Sequence, residues 1–407
     1  MELKSKYQYT YFIYPYVVDE YKYRKYILNL LKNKRVKIKN IEKEKDLEIY
    51  NYFLPNMKKY IFCNFEITKN KINSMKKLNK NMQAKILSQY DCVMFEYELE
   101  KSIQGKAGNE NCIFFEIQKI EIICFNTGIC FLNIKTNVEG TDSFRDILDF
   151  NYKFKDLNSE NSNLRNYENI NIQSSAFKDI ENISEIINDI VGNKENLRDI
   201  NIQENTIFTY SYTCLEEEMW NKENGFEKIQ NDYMKYILLK PSTHDSSDLR
   251  YDEGMSYNDY VKIGGSNSSL GLLTSTIKIE NYTKLPATFE NEYLYTYIIS
   301  LYKKIYLQSM QCKLEKTKNP FNVLKTIDKF VKQIELIDIT EDSFGKEFYK
   351  YVQEKIGYKE TYKRIEEWKN IIKHNKSFKK IKNRNSTLKI IILILVIINI
   401  ILLCRLK

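Results

Sequence analysis

The sequence predicts an α+β (mixed α/β) cytoplasmic body, followed by a helical stalk and one C-terminal transmembrane helix. Strand-like and helix-like segments alternate in the first part, apolar residues recur every three or four positions after Thr288, and the last segment is almost wholly aliphatic. We expect four regions: an α+β domain over 1–155, a second α/β part with polar loops over 156–287, the stalk over 288–385 and a transmembrane tail over 386–407.

The first region opens with YTYFIYPYVV (9–18), which predicts a strand whose Pro15 indicates an edge or a bend. Two apolar segments on either side of Asn126, Thr127 and Gly128 predict a β-hairpin. A helix over 142–154 is expected to start at a cap formed by Asp142 or Ser143. The other expected elements are helices over 20–33, 46–54 and 71–89 and strands over 59–67 and 92–99.

The second region has a weaker pattern. We expect a helix over 176–192 that ends at Gly192, a strand over 206–215, a helix over 228–239 and a long polar loop from Pro241 to Ser269. In the stalk, Thr340 is the expected cap of the third helix, because Glu341 and Asp342 follow it in the first turn.

The tail has about 17 to 19 residues that could lie in hydrocarbon, near the lower limit for a membrane span. A core helix of a soluble domain would be one-sided, whereas this segment is apolar all round except for Asn399. We therefore predict a membrane helix, with a buried or oligomer-core helix as the alternative. Its membrane residues include Leu388, Ile390, Ile394, Ile398, Asn399 and Leu402.

Basic residues surround this segment, and no acidic residue follows Glu367. Ten of the 63 basic residues fall after that position, so the other 53 nearly balance the 54 acidic ones. Juxtamembrane Lys and Arg mark the cytoplasmic side and attract anionic lipids, so we expect a single-pass cell-membrane protein with its body in the cytoplasm. The nearly neutral body argues against nucleic-acid binding. The membrane-flanking basic residues are Lys379, Lys380, Lys382, Arg384, Lys389, Arg405 and Lys407.

The two ends and the cysteines agree with this location. The first residues lack the basic leader and apolar core of a signal peptide, so we expect insertion by the tail. Eight dispersed cysteines without a C-x-x-C pair predict free thiols in a reducing compartment and argue against a zinc site.

Few residues suggest chemistry, and no cofactor is identifiable. The loop STHDSSDLRYDEG (242–254) offers His244, Asp245, Asp248 and Asp252 as weak candidate metal ligands, although such loops are usually only solvated. The glycine-rich KIGGSNSSLGLLTS (262–275) lacks the spacing and the lysine of a phosphate-binding loop. We expect a loop there, and an exposed turn or the start of a helix at the acidic run 216–218.

Two segments carry a resemblance: FENEYLYTYIISLYKKIYLQSMQCKLEK (289–316) and ITEDSFGKEFYKYVQEKIGYKETYKRIEEWKNIIKH (339–374). Together with the terminal anchor, they resemble a family of uncharacterised bacterial single-pass membrane proteins, a resemblance that implies no known activity. The layout also distantly resembles CorA-type cation channels, but the chain lacks their Gly-Met-Asn signature and second membrane helix.

These observations predict a tail-anchored, self-associating protein that acts at the membrane as an oligomeric sensor or effector, with the bilayer and its anionic lipids as partners. One alternative is a scaffold that recruits a protein partner to the membrane. The other is a membrane-anchored enzyme that uses the carboxylates of the 245–253 loop. The inventory of residues favours a protein without enzyme activity.

Overall fold

An eleven-stranded mixed sheet organises the part of the chain that the computed structural model describes. That part comprises residues 2–39, 47–62, 74–99, 103–108, 112–155, 170–173, 183–192, 207–245, 254–317, 319–335 and 338–374. The strands are β1 Ser5–Val17, β2 Val36–Ile38, β3 Cys92–Tyr97, β4 Ile103–Ala107, β5 Ile113–Phe125, β6 Ile129–Glu139, β7 Ile170–Gln173, β8 Phe208–Leu215, β9 Met255–Asn258, β10 Val261–Gly265 and β11 Ser269–Ser275.

The strand order is β2-β3-β5-β6-β1-β8-β11-β10-β9, and β4 joins β5 to β7. Neighbours are antiparallel except for β8 and β11, which are parallel. β5 is long enough to pair with β4 through its first half and with β3 through its second half, and a bulge lies between Ile117 and Lys119 where the register changes.

Helices cover both faces of the sheet, because buried side chains from alternate strand positions pack into two separate cores. The first face carries α1 Tyr23–Lys32, α4 Lys80–Leu87, α5 Phe144–Lys155, α6 Ile183–Val191 and α7 Gln230–Leu238. The second face carries α2 Leu47–Tyr52, α3 Pro55–Ile61, α8 Glu280–Thr283, α9 Leu285–Thr288, the π-helical turn Phe289–Tyr293, α10 Leu294–Lys316, α11 Pro320–Phe330, α12 Ser343–Lys355 and α13 over 358–374. The predicted α+β class is thus confirmed.

The β5–β6 hairpin forms as predicted. Its turn needs Gly128, whose φ is +89° and whose missing side chain leaves room for the Val18 carbonyl. α1, α2, α6, α7, β3 and β8 also lie within their predicted ranges, and Gly192 follows α6 with a φ of +82°.

Other expectations differ from the structure. β1 is not an edge strand, since β6 and β8 flank it. Its described pairing with β8 ends at Ile13. Pro15 therefore lies beyond the β1–β8 ladder, where the N–H that proline lacks is not needed for pairing with β8. Lys59–Ile61, expected in a strand, belongs to α3. The loop expected before Ser269 contains β9 and β10.

The helices expected in a stalk are present, but they pack on the sheet. α10 is buried along most of its length, and apolar residues of α11, α12 and α13 join the same core. The cap of α12 is Asp342 rather than Thr340: its carboxylate accepts from Gly345 N at 2.6 Å, while Thr340 pairs with Phe53. Periodicity indicates an apolar helix face but not which surface covers it.

The sheet also crosses the predicted boundary near residue 156. β1, from the region 1–155, pairs with β8, from the region 156–287, over eight register positions from Ser5 to Ile13.

Candidate functional site

The structure describes part of the loop that suggested a metal site. Ser242 follows α7 and binds α5, because its N and Oγ both donate to the Asp149 carboxylate at 2.7 and 2.8 Å. His244 N donates to the Pro241 carbonyl at 3.0 Å. Ser242 therefore pairs with Asp149 of α5 and not with an acidic residue of its own loop.

Asp248 and Asp252 lie outside the described residues, whereas Asp245 is described and exposed. Within the described ranges, no group of three His, Cys, Asp or Glu side chains is arranged to hold a metal ion.

The predicted membrane residues 388–402 and the flanking basic residues from Lys379 to Lys407 also lie outside the described ranges. None of the helices that the structure does describe has the length and the apolar character to cross a bilayer.

The glycine-rich stretch forms the β10–β11 hairpin, where Ser266 N donates to the Ser269 carbonyl at 2.8 Å. Gly264 and Gly271 lie opposite each other. A Cβ at Gly264 would collide with Tyr233 and one at Gly271 with Tyr236, and both tyrosines belong to α7. These glycines let a helix approach the sheet closely.

Charged side chains meet on the second face of the sheet, beneath α10 and the π-helical turn. We call this group the central ionic cluster, and its members are Tyr11, Lys39, Lys119, Glu121, Asn133, Lys135, Glu290 and Tyr295. The register aligns Lys119 with Lys135 and Lys135 with Tyr11, and it aligns Glu121 with Asn133. Side chains directly opposite each other on one face have Cβ atoms about 4.5–5.5 Å apart, so these rows are contiguous.

Glu121 is the most deeply buried charge of the central ionic cluster, at 2% exposure. Its Oε1 accepts from Lys39 Nζ at 2.6 Å and from Lys119 Nζ at 2.9 Å. Burial alone would raise the pKa of Glu121, but the two lysines outweigh burial and lower it to about 2. Glu121 is therefore ionised at neutral pH. Lys39 Nζ also donates to Tyr295 Oη of α10 at 2.5 Å, which links the cluster to the helix.

Lys135 links the sheet to the π-helical turn. Its Nζ lies 2.6 Å from Glu290 Oε2, and Tyr11 Oη donates to the other oxygen of the same carboxylate. The ammonium also lies 4.8 Å from the centroid of the Tyr9 ring. Burial, followed by the Glu290 charge, raises the pKa of Tyr11 well above its usual value, so the phenol stays protonated and donates.

Asn133 differs from its neighbours because neither end of its amide is paired. It is 0% exposed, and both Oδ1 and Nδ2 are sealed from solvent without a hydrogen-bond partner. An unpaired buried polar group costs about 1–3 kcal/mol. Asn133 is therefore a weak point in an otherwise paired cluster.

A second group of buried polar side chains belongs to α10 and α12. We call it the lysine seam, and it consists of Lys303, Lys304, Tyr349 and Gln353. Lys303 is 0% exposed and donates through Nζ to Tyr349 Oη at 2.5 Å. Gln353 lies one turn after Tyr349 on the same face of α12. Its Nε2 is sealed from solvent and has no hydrogen-bond partner.

Lys304 is 9% exposed, and its Nζ lies 5.7 Å from the centroid of the Phe208 ring. Among the described residues it makes no ion pair. Burial lowers its pKa to about 8, while the nearby charge of Glu360 acts in the opposite direction. A cation without a carboxylate partner in such a position is unusual and often marks a functional group.

Sequence reasoning missed both groups, although signals were present. Lys119 and Glu121 interrupt one apolar strand at alternate positions, and Asn133 and Lys135 do the same in the partner strand of the best predicted hairpin. Two consecutive lysines in the apolar run YIISLYKKIYL (297–307) were the signal for the lysine seam. Glu290 and Gln353 could be assigned to these groups only from the tertiary fold, because they are distant in the sequence from the lysines of each group.

The fold and these sites define an α/β/α protein with a mainly antiparallel sheet and charged side chains enclosed beneath one helical layer. No protein-family model matches the chain, and no curated protein and no solved structure matches it.

Proposed function

We propose that this protein is anchored in the cell membrane through residues 386–407, and that its cytoplasmic body acts there as an oligomeric sensor or effector. The observation that carries the proposal is the nearly uninterrupted aliphatic run from Ile390 to Cys404, flanked by basic residues and far from any acid. The bilayer, its anionic lipids and further copies of this chain are the proposed partners.

A sensor needs a physical link between its body and its anchor. Support for such a link comes from α10, which is tied to the sheet through Tyr295 and Lys39, and from the π-helical turn, tied through Glu290 and Lys135. α12 packs on α10, and α13 extends to residue 374, which precedes the basic residues from Lys379 onward in the sequence. In this proposal, a shift of α10 relative to the sheet carries a signal along the last helices to the anchor.

Membrane fractionation tests the anchor. We expect the full chain to sediment with membranes and to resist extraction by high salt and alkaline carbonate, because its attachment is hydrophobic. A chain that ends at Ser386 should move to the soluble fraction.

A full-length variant controls for the change in length. Ile394→Lys combined with Ile398→Lys should also release the protein, since each central charge costs about 2.5–3.5 kcal/mol on insertion scales. Ile371→Lys adds a lysine at an exposed position of α13 and should leave the protein in the membrane fraction. Extraction of the unaltered chain by salt alone would contradict the proposal.

A further inference from the structure

We propose that the outward faces of α11 and of the last two turns of α13 form one surface that lies on the headgroups of an anionic bilayer. The body would reach that bilayer through the proposed anchor, so the inference rests on the proposed function. We call this the lipid-facing surface, and it consists of Phe321, Lys325, Lys329, Lys332, Ile371 and Lys373.

The outward face of α11 is positively charged. Lys325 and Lys329 are exposed and lie one turn apart on this helix, and Lys332 is exposed directly after it. Asp328 is the one acidic residue between Lys316 and Ile334 in the sequence. Its carboxylate forms an ion pair with α13, so it leaves the charge of these three lysines to attract an anionic surface.

The ion pair of Asp328 also joins α11 to the end of α13. Lys369 Nζ of α13 lies 2.8 Å from Asp328 Oδ1. Lys329 follows Asp328 directly and Lys325 precedes it by three residues, while Lys373 lies one helical turn after Lys369 and is exposed. The basic residues of the two helices are therefore gathered around one contact.

Large apolar side chains are exposed beside these lysines. Phe321, one turn before Lys325, is 38% exposed, and Ile371, two residues before Lys373, is 54% exposed. Lysines combined with exposed apolar side chains are typical of surfaces that lie in the membrane interface, where the ammonium groups meet lipid phosphates and the apolar groups enter the acyl boundary. A nucleic-acid backbone offers the negative charge without an apolar layer, so this combination favours a lipid surface.

The position of the surface in the chain also favours the bilayer. α13 ends at residue 374, and eleven residues separate that end from Ser386, where the proposed anchor begins. A segment of that length spans at most about 40 Å, so the end of α13 stays within that distance of the membrane. α11 is held beside it by the ion pair of Lys369.

The test uses the full-length chain with Ile394→Lys and Ile398→Lys, in which the proposed anchor is disabled, and measures flotation with vesicles at low ionic strength. We expect binding to vesicles of phosphatidylcholine with phosphatidylserine to be at least about tenfold tighter than binding to phosphatidylcholine alone. Adding Lys325→Gln with Lys329→Gln should weaken binding to the anionic vesicles by at least about tenfold, because each lysine at the surface contributes about fivefold.

The matched control removes the same charge at the same spacing from α12. Lys346 and Lys350 are exposed one turn apart on that helix, and Glu347 is exposed between them. Lys346→Gln with Lys350→Gln should change the binding by less than about twofold, because these side chains lie away from the lipid and are screened by salt.

A second measurement uses the unaltered chain on the two kinds of vesicle. Acetylation of Lys325 and Lys329 by an amine-reactive ester, followed by peptide mass spectrometry, should be at least about threefold slower on the anionic vesicles, whereas acetylation of Lys346 should not slow. Equal rates for Lys325 and Lys329 on the two kinds of vesicle would overturn the lipid-facing surface.

Equal losses of vesicle binding from the α11 and α12 substitutions, or no loss from the α11 pair, would also overturn it. So would binding of a DNA duplex in preference to anionic vesicles with the same dependence on Lys325 and Lys329. The anchor is disabled in every chain that the flotation experiment compares, so its outcome does not depend on anchoring. Extraction of the unaltered chain from membranes by salt alone contradicts only the proposed anchoring.

Discussion

Glu121 and Lys39 form an ion pair of 2.6 Å whose carboxylate is almost completely enclosed between the sheet and α10. Lys37 and Glu98 form a pair of the same length on the neighbouring edge, but their side chains are 54% and 53% exposed. The two pairs therefore separate the effect of burial from the effect of distance.

Glu121→Gln should lower the free energy of unfolding by about 2–4 kcal/mol, because it removes the buried carboxylate and leaves the partly buried Lys39 and Lys119 without their counter-charge. Glu98→Gln should change it by less than about 1 kcal/mol. Urea denaturation at pH 7 provides both values. Equal effects of the two substitutions would contradict a dominant role of burial.

The lowered pKa of Glu121 also predicts how the stability of the protein depends on pH in acid. The pKa of Glu121 is lowered to about 2 from its usual 4.5, so the unfolded chain takes up the proton first as the pH falls. The stability that Glu121 contributes should be complete above pH 4.5 and should be lost progressively between pH 4.5 and pH 2. Denaturation curves of Glu121→Gln should lack this part of the acid dependence.

Asn133→Leu should stabilise the protein or leave it unchanged, because it removes two polar atoms that have no partner and retains a similar shape. Asn151→Leu is the control on the opposite face, where Asn151 Nδ2 also lacks a partner but Oδ1 accepts from Thr10 Oγ1 at 3.0 Å. That substitution should destabilise by about 1–2 kcal/mol. Thermal unfolding of the two variants tests the difference in sign.

Lys304→Met should raise the free energy of unfolding at pH 7, because it removes a charge that burial disfavours. The pKa of Lys304 is lowered to about 8 from 10.5, so between these values the unfolded chain binds more protons and the unaltered protein gains stability as the pH rises. The advantage of the variant, about 1–3 kcal/mol below pH 8, should therefore shrink towards pH 10.5. A constant advantage across this range would show that Lys304 does not titrate as proposed.

Asn399→Leu tests self-association. A polar amide within the apolar run is costly in hydrocarbon, and pairing with Asn399 of another copy would recover about 0.6–2 kcal/mol. We expect crosslinking in native membranes to give oligomers of the unaltered chain and fewer of the variant. A monomer before and after the substitution would rule out the oligomer.

Local sequence patterns predicted many of the helices and strands, because these elements depend mainly on residues that are near one another in the chain. Gly128 indicated the β5–β6 turn, and the periodic apolar residues of α7 and α10 indicated helices. Local patterns could not indicate that β1 lies in the middle of the sheet, because its partners are far away in the chain. For the same reason Glu121 and Asn133 were passed over, since each is only one polar residue in an apolar strand until the register aligns them.

The position of β1 has a consequence for the order of folding. Tyr11 pairs with Lys135 on one side and with Tyr210 on the other, so the second ladder closes only after about two hundred intervening residues have been synthesised. Contacts of such sequence separation form slowly, and an aromatic strand that waits for its partner can pair with other chains. On the ribosome, the first strand made thus completes its pairing among the last, and chaperone demand should peak before β8 emerges.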